Sequence, residues 1–249
     1  MSTGNHKILE KSMRMLEAVS NHAEGISLTG LCNEIDIPKG SAHCLLSTLV
    51  NMGYLRRDPR TALYYISLKT FEVGARFVEN NRHFRYAREV LENLVATTGQ
   101  TAHMAVLDGT DVIYIHKVDC SHAVRMVSII GRRIPAHATA IGKALLADYT
   151  NDQIRAMYEG KQLARLTENT IGDLDALIAQ LERVRVVGYA QERGESSIGI
   201  ECVAVAVGKP DDPTHTAISL SVPIDPERKD MKQFITPALE AKQYLQVML

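Results

Sequence analysis

The chain has 249 residues, 45% of them hydrophobic and 23% charged, which is typical of a globular protein long enough for two hydrophobic cores. Its 28 basic and 29 acidic side chains nearly cancel, which excludes a protein that coats nucleic acid by charge alone. No apolar run approaches the ~18 residues of a membrane span, and the N-terminus has no apolar signal core. Four cysteines without a Cys-x-x-Cys pair predict reduced thiols in the cytoplasm.

Three short helices are predicted in residues 1–66. Apolar residues recur at helical spacing over 8–23, and Gly25 is expected to end this helix. Thr29 is expected to cap a second helix, and a turn at Pro38 leads into a third, SAHCLLSTLVNMG. The sequence therefore predicts two helices joined by a tight turn, preceded by a third.

The third helix separates into two faces. Its inward stripe is predicted to be Ala42, Leu45, Leu46 and Leu49, at i, i+3, i+4 and i+7. The outward face is short, polar and free of acidic groups, which favours contact with a polyanion through phosphates and base edges. Its members are Lys39, Ser41, His43, Cys44, Ser47 and Thr48.

The run YLRR-DPRT-ALYYI predicts a strand, a turn and a second strand. Arg56, Arg57 and Arg60 concentrate positive charge there, so the region has the pattern of a winged helix-turn-helix that reads DNA. The alternative is a small helical subdomain with a surface hairpin, because residues 1–66 carry a net charge of only +1. The predicted DNA contacts are these arginines, the outward face of the third helix, and Thr29.

An amphipathic helix is predicted over residues 67–82, with apolar residues repeating along one face. From residue 83 to 249 helices alternate with strands rich in Val, Ile and Ala, which is typical of an α+β domain. We therefore predict a first domain at 1–66, a linker helix at 67–82 and a second domain at 83–249.

Within the second domain, Asp108-Gly109 predicts a hairpin turn and Thr139 is expected to cap a helix. Gly142 lies inside that helix, where glycine costs about 1 kcal/mol relative to Ala. Such a cost is expected where another backbone or a ligand comes close. The N-terminus of such a helix suits a carboxylate. Ser219 and Ser221 alternate with apolar residues along one strand, so both face either a pocket or solvent.

Two kinds of chemistry compete with a binding role. Cys202 is a candidate nucleophile, but it precedes the buried-looking run VAVAV, where a cysteine is more often part of the core. A metal site at His116, Asp119, Cys120 and His122 is disfavoured by their irregular spacing. The sequence has no Gly-rich phosphate loop or nucleotide fingerprint, so no cofactor is expected either.

The segment ISLTGLCNEIDIPKGSAHCLLSTLVNMGYLRRD resembles the winged helix-turn-helix of IclR-type transcriptional regulators. Three later blocks are also similar to that family: GRRIPAHATAIGKALLA, GYAQERGESSIGIECVAVAV and AISLSVP. YIHKVD, taken with the first of these blocks, is most similar to regulators of sugar-acid catabolism. One departure is that Gly40 and Cys44 stand where many members have Ser and Arg, so operator sequence and affinity do not carry over.

The resemblance implies a C-terminal effector-binding domain with an antiparallel sheet flanked by helices, and dimers or dimers of dimers on palindromic operators. By position in the family blocks it implies an effector pocket lined by Ala123, Ala140, Ile141, Glu192, Cys202, Ser219 and Ser221.

We therefore expect a DNA-binding transcriptional regulator that responds to a small carboxylate. An ionised Glu192 would repel an acid at close range, which favours a sugar acid whose hydroxyls lie near Glu192. Self-association is expected through Met13, Met15 and Leu16 of the first helix. The alternatives are a small-molecule enzyme with an accessory winged-helix module and a winged-helix adaptor without DNA specificity.

Overall fold

The computed structural model describes residues 6–80, 82–121, 129–210, 215–228 and 230–248, without the side chains of residues 82, 83 and 85. The chain forms two compact units that divide between residues 80 and 81. Within the described ranges, no helix is long and apolar enough to cross a membrane.

The first unit consists of three helices, a two-stranded hairpin and a fourth helix. This is the helix-turn-helix with a wing that the sequence predicts, and the fourth helix belongs to the same compact unit. In chain order the elements are α1 (Lys7–Ser20), α2 (Leu28–Ile35), α3 (Lys39–Asn51), β1 (Leu55–Arg57), β2 (Tyr64–Ile66) and α4 (Leu68–Glu79).

Caps set the boundaries of the helix-turn-helix. The hydroxyl of Ser27 accepts a hydrogen bond from the Gly30 amide at 3.0 Å and thereby caps α2. The expected cap at Thr29 is wrong, because Thr29 already lies in the first turn while Ser27 has the extended backbone of an N-cap. Asp36 ends α2 in the left-handed conformation, with φ of 51°, and Pro38 precedes α3.

The core of the first unit lies where the three helices meet the hairpin. Ala42, Leu46 and Leu49 of α3 are buried, as the predicted stripe requires, whereas Leu45 is only partly buried. Met15 is also fully buried in this core. The expectation that it contributes to a self-association surface is therefore wrong.

The second unit alternates helices and strands. Its elements are α5 (Arg82–Thr98), β3 (Thr101–Asp108), β4 (Asp111–Val118), β5 (Arg133–Pro135), a 3-10 turn (Ala136–Ala138), α6 (Ala140–Leu146), α7 (Asn151–Met157), α8 (Leu174–Val187), β6 (Ala190–Arg193), β7 (Ile200–Val207), β8 (Thr216–Pro223) and α9 (Lys232–Met248). The turn between β3 and β4 lies at Asp108-Gly109, as predicted, and Gly109 has φ of 63°.

The strands form one antiparallel sheet in the order β5-β4-β3-β8-β7-β6. Ala105, Ala204 and Ala217 face a core shared with α6, α7 and α8. Because side chains alternate along a strand, the buried strand neighbours of these alanines face the opposite side of the sheet. On that side α5 contacts β3 and β4, and α9 contacts β7 and β8. The result is the predicted antiparallel sheet with helices on both faces.

The start of α6 is closely packed. Thr139 caps it as predicted, its hydroxyl accepting a hydrogen bond from the Gly142 amide at 3.0 Å. A Cβ at Gly142 would lie 2.2 Å from the carbonyl oxygen of Ala136. The close approach of the Ala136 backbone therefore explains the glycine. The sequence suggested either a neighbouring backbone or a ligand at this position.

Candidate functional site

The outward face of α3 is the first candidate surface. Lys39, Ser41, His43 and Cys44 are exposed, and Ser47 is half-buried. No acidic residue lies in α3. Side chains of this kind donate to phosphates and to base edges. The exposed Thr48 directs its hydroxyl to the Cys44 carbonyl oxygen of the same helix at 3.0 Å, which leaves only its oxygen lone pairs for a partner.

The hairpin beside α3 has a rigid turn. One oxygen of Asp58 accepts hydrogen bonds from the amides of Arg60, at 2.7 Å, and Thr61, at 2.9 Å. These two bonds lower the pKa of Asp58, so the turn keeps an ionised acceptor. On β1, the Arg56 guanidinium lies 4.1 Å from the centre of the Tyr65 ring, which holds it by a cation–π contact.

Arg57 and Arg60 are also exposed on the hairpin, and Thr29 is exposed in the first turn of α2. All ten predicted DNA contacts therefore lie in the first unit, nine of them exposed and Ser47 partly covered.

The second candidate site is a cavity of about 260 Å³ on the α6 side of the sheet, here called the Cys202 cavity. It brings together residues from β3, β4, β5, β7, β8 and the loop between β6 and β7. Its lining is His103, Tyr114, Arg132, Arg133, Ile134, Pro135, Leu166, Ser196, Ser197, Ile200, Cys202 and Ser221.

Strand register explains why Cys202 and Ser221 meet. They face each other across β7 and β8, and the thiol sulfur lies 3.3 Å from the hydroxyl oxygen. Ser219 lies two residues earlier on the same face of β8, opposite His103. Both serines are almost fully buried, so they do not face solvent.

The floor of the cavity is electrically neutral at pH 7. Burial lowers the pKa of His103 to about 4, helped by the nearby positive charge of Lys117. Burial also raises the pKa of the Tyr114 hydroxyl and of the Cys202 thiol. A protonated thiol is a poor nucleophile, which argues against the catalytic reading of Cys202.

The rim of the cavity carries two arginines. Arg133 is paired with Asp108 and lies 3.9 Å from Asp111, so neighbouring carboxylates offset its charge. Arg132 lies one residue before β5 on the same rim and is exposed. A guanidinium beside a neutral floor favours an anionic group at this end of the cavity.

Glu192 faces Cys202 across β6 and β7 and contacts its thiol. It does not line the Cys202 cavity, and its two oxygens accept hydrogen bonds from the Glu195 amide and the Ser196 hydroxyl. Burial raises the pKa of Glu192, while these two hydrogen bonds and one with the Cys202 thiol oppose the rise.

The remaining predicted effector residues are not brought to this cavity. Ala140 and Ile141 are buried in the core around α6, and Ser219 is buried without being part of the lining. Ala123 lies outside the described residues, as does His122 of the considered metal site. Cys120 of that set contacts the Thr101 hydroxyl, and all four cysteines of the chain are free thiols.

Sequence reasoning missed Arg132, Ser196 and Ser197, among others. These residues lie within blocks that carry the family resemblance or next to predicted strands, but no local periodicity marks them as cavity residues.

One signal was available: Lys143 interrupts the apolar helix AIGKALLA, and a buried lysine requires a partner. That partner is Glu195, at 2.5 Å.

Family models match both units. The IclR helix-turn-helix domain matches residues 8–59, and the model described as bacterial transcriptional regulator IclR C-terminal matches residues 76–243.

Curated relatives agree with these matches. The transcriptional regulator KdgR of Escherichia coli K12 is 36% identical over 197 residues, covering 79% of this chain and 74% of KdgR. XynR of the same organism, also named as a transcriptional regulator, is 35% identical over 214 residues, covering 86% and 84%.

Among solved structures, an IclR homologue from Microbacterium hydrocarbonoxydans in complex with 4-hydroxybenzoate superimposes with a TM-score of 0.84. It covers 97% of this chain and 98% of its own at 20% identity, so it supports the fold alone. The chain therefore belongs to the IclR family of bacterial transcriptional regulators, with a DNA-binding helix-turn-helix and a ligand-binding C-terminal domain, and it is a regulator rather than an enzyme.

Proposed function

We propose that the protein is a cytoplasmic regulator that binds a palindromic operator as a dimer or a dimer of dimers, and that a small carboxylate, best a sugar acid, controls this binding. The observation that carries the proposal is the Cys202 cavity, which combines a neutral hydrogen-bonding floor with arginines at one rim. At about 260 Å³ it suits a small ligand, since sites for drug-sized molecules span roughly 300–1,000 Å³.

In this proposal α3 enters the major groove and the hairpin contacts the DNA backbone. The acid-free face of α3 supports base contacts by Ser41 and His43. Arg57 and Arg60 on the wing support phosphate contacts, since guanidinium groups donate strong hydrogen bonds to phosphate oxygens.

The orientation of the effector follows from the charges around the cavity. The carboxylate lies at the rim near Arg132, because burial of an anion against Glu192 would be costly. The hydroxyl groups lie over the floor, where Cys202, Ser221 and His103 offer neutral donors and acceptors. The helix N-terminus at Ala140 and Ile141 stays a second predicted site for the acid.

Self-association is part of the proposal because one winged helix reads only a short DNA site, so specific binding needs two copies on a palindrome. A groove of about 680 Å³ between α1, α3 and α4 supports a contact between two first units. Its lining includes Ile8, Leu9 and Met13, which are 71%, 61% and 48% exposed. The effector would then shift the population between two arrangements of paired DNA-binding units.

Calorimetric titration tests this function. The ligands are a panel of sugar acids, glycerate, hexanoate, 4-hydroxybenzoate and the neutral polyol glucitol, added to wild type and to Ser219→Ala/Ser221→Ala. We expect a sugar acid to bind best, to lose affinity in the double variant, and to change the affinity for operator DNA taken from upstream of the gene. Unchanged binding in the double variant would contradict this pocket, and binding of aromatic or cationic ligands alone would contradict the sugar-acid assignment.

A further inference from the structure

The loop at residues 194–199 joins β6 to β7 and supplies Ser196 and Ser197 to the Cys202 cavity. A loop that contacts a small ligand must be held in place, because each disordered residue adds an entropic cost to binding. Three separate elements hold this one through buried polar groups.

The first anchor is Glu192, at the end of β6. One of its oxygens accepts the Glu195 amide at 2.7 Å, and the other accepts the Ser196 hydroxyl at 2.9 Å. Glu192 is only 3% exposed. Both oxygens of this carboxylate therefore accept hydrogen bonds from the loop, and the Cys202 thiol contacts the same carboxylate from β7.

The second anchor is Lys143 of α6, whose side chain is fully buried and lies 2.5 Å from the Glu195 carboxylate. The third is the segment before α8, where the hydroxyl of Thr167 donates to the Gly194 carbonyl oxygen at 2.6 Å. The hydroxyl of Thr170 donates to the Glu195 carbonyl oxygen, also at 2.6 Å. Two of the three anchors use charged groups, which form stronger hydrogen bonds than neutral ones.

Placing these charges inside the protein contributes little net stability, because desolvation offsets the attraction within a buried ion pair. A buried pair that adds little to stability can still keep neighbouring groups in a fixed geometry. The group it keeps in place here is the Ser196 hydroxyl. Since the proton of this hydroxyl is directed at Glu192, its oxygen is an acceptor for a donor in the cavity.

We propose that Glu192 and the Lys143–Glu195 pair are positioning residues that hold loop 194–199 over the cavity, and that Ser196 and Ser197 contact the hydroxyl groups of the effector. The inference rests on the proposed function, and it changes the role of Glu192 from ligand contact to loop anchor. Specificity for a polyhydroxylated acid then depends on the loop.

The first test uses Ser196→Ala/Ser197→Ala, titrated with the strongest-binding sugar acid of the panel and with hexanoate. We expect the sugar acid to bind about tenfold more weakly, as for one to two lost hydrogen bonds, and hexanoate to bind as to wild type. Equal affinity of the sugar acid for wild type and variant would overturn the inference and leave the proposed function standing. A wild type that binds no acid would overturn both.

The second test separates anchoring from direct contact. Glu192→Ala should weaken sugar-acid binding in wild type but add little in the Ser196→Ala/Ser197→Ala background, because it acts through the same loop. Additive losses would mean that Glu192 contacts the ligand itself. Without any ligand, the Glu195 amide should exchange its hydrogen at least tenfold faster in Glu192→Ala, and unchanged exchange would contradict the anchor.

The third test removes both members of the ion pair, using Lys143→Met/Glu195→Met, so that neither is left buried without its partner. We expect a thermal midpoint near that of wild type, faster exchange of the loop amides and about tenfold weaker sugar-acid binding. The matched control is Glu201→Met/Arg228→Met, a second largely buried ion pair that does not line the Cys202 cavity. The inference is contradicted if both double variants affect sugar-acid binding equally.

Discussion

At Gly142, at the start of α6, an added methyl group would collide with the neighbouring backbone. A Cβ there would lie 2.2–2.6 Å from backbone atoms of Ala136, which cannot move aside as a flexible side chain could. We expect Gly142→Ala to lower the free energy of unfolding by about 1–3 kcal/mol, despite the better helix propensity of alanine. Urea denaturation followed by circular dichroism measures this change.

Gly74 provides the matched control, since it lies inside α4 and a Cβ added there would have no atom within 4 Å. Gly74→Ala should stabilise its helix by up to about 1 kcal/mol. A Gly142→Ala variant as stable as wild type would show that the backbone of Ala136 yields at low cost.

His103 is expected to make the second unit sensitive to acid. Its pKa is lowered from 6.5 to about 4 in the folded chain. Between pH 6.5 and about 4, the unfolded chain therefore binds a proton at His103 that the folded chain does not bind. Its contribution to stability is present above about pH 6.5 and falls by up to about 3 kcal/mol as the pH decreases to about 4. Chemical unfolding at several pH values in this range measures the slope.

The comparison variant is His103→Gln, which keeps a neutral polar side chain. It should lose stability less steeply between pH 6.5 and 4 than wild type does. Some acid sensitivity should persist, because burial also lowers the pKa of His116 and of His137. A variant with the wild-type slope would mean that His103 is not the group that titrates.

At the scale of elements, α3 and the wing are expected to contribute differently to operator binding. Ser41→Ala and His43→Ala should relax sequence preference with little loss of stability, because both side chains are exposed on the acid-free face. Arg60→Ala should weaken binding to every sequence and reduce the salt dependence by about one unit per lost phosphate contact. Fluorescence anisotropy on the operator and on scrambled DNA, at several salt concentrations, separates the two effects.

A suitable control is Arg14→Ala, which removes an exposed arginine from α1, outside the predicted DNA contacts. The Arg14→Ala variant should keep the sequence preference and the salt dependence of DNA binding close to those of wild type. If Ser41→Ala and His43→Ala leave operator choice untouched, the assignment of α3 as the reading helix fails.

At the scale of the whole molecule, apolar residues at the groove of the first unit are expected to form a contact between two copies. Ile8 and Leu9 are more exposed than apolar side chains of a monomeric domain need to be, and they line a groove of about 680 Å³. Ile8→Glu/Leu9→Glu should weaken self-association through this groove and reduce operator affinity by at least tenfold. Light scattering and anisotropy measure mass and affinity.

Glu10→Ala/Arg14→Ala changes two exposed polar residues of the same helix and should leave both measurements unchanged. A wild-type protein that is monomeric at micromolar concentration, with and without DNA, would refute the dimer.

Local interactions made much of the fold predictable from the sequence. Helical periodicity identified the buried positions Ala42 and Leu46 of α3, because an amphipathic helix buries one face whatever it packs against. Turn chemistry located the hairpins at Asp58-Pro59 and Asp108-Gly109, because side-chain acceptors and glycine act on their immediate neighbours. The predicted cap at Thr29 is wrong by two residues, because the extended backbone of an N-cap lies at Ser27.

Only the tertiary structure decided which side chains share the cavity. Arg132 and Ser197 are far apart in the chain, and strand order brings them to one lining. The sequence did not indicate that the two oxygens of Glu192 accept hydrogen bonds from the loop that follows it. Lys143 and Glu195, separated by 52 positions, form a buried pair. Periodicity and turn chemistry act over a few residues, whereas contacts of this kind depend on how the sheet and its helices pack.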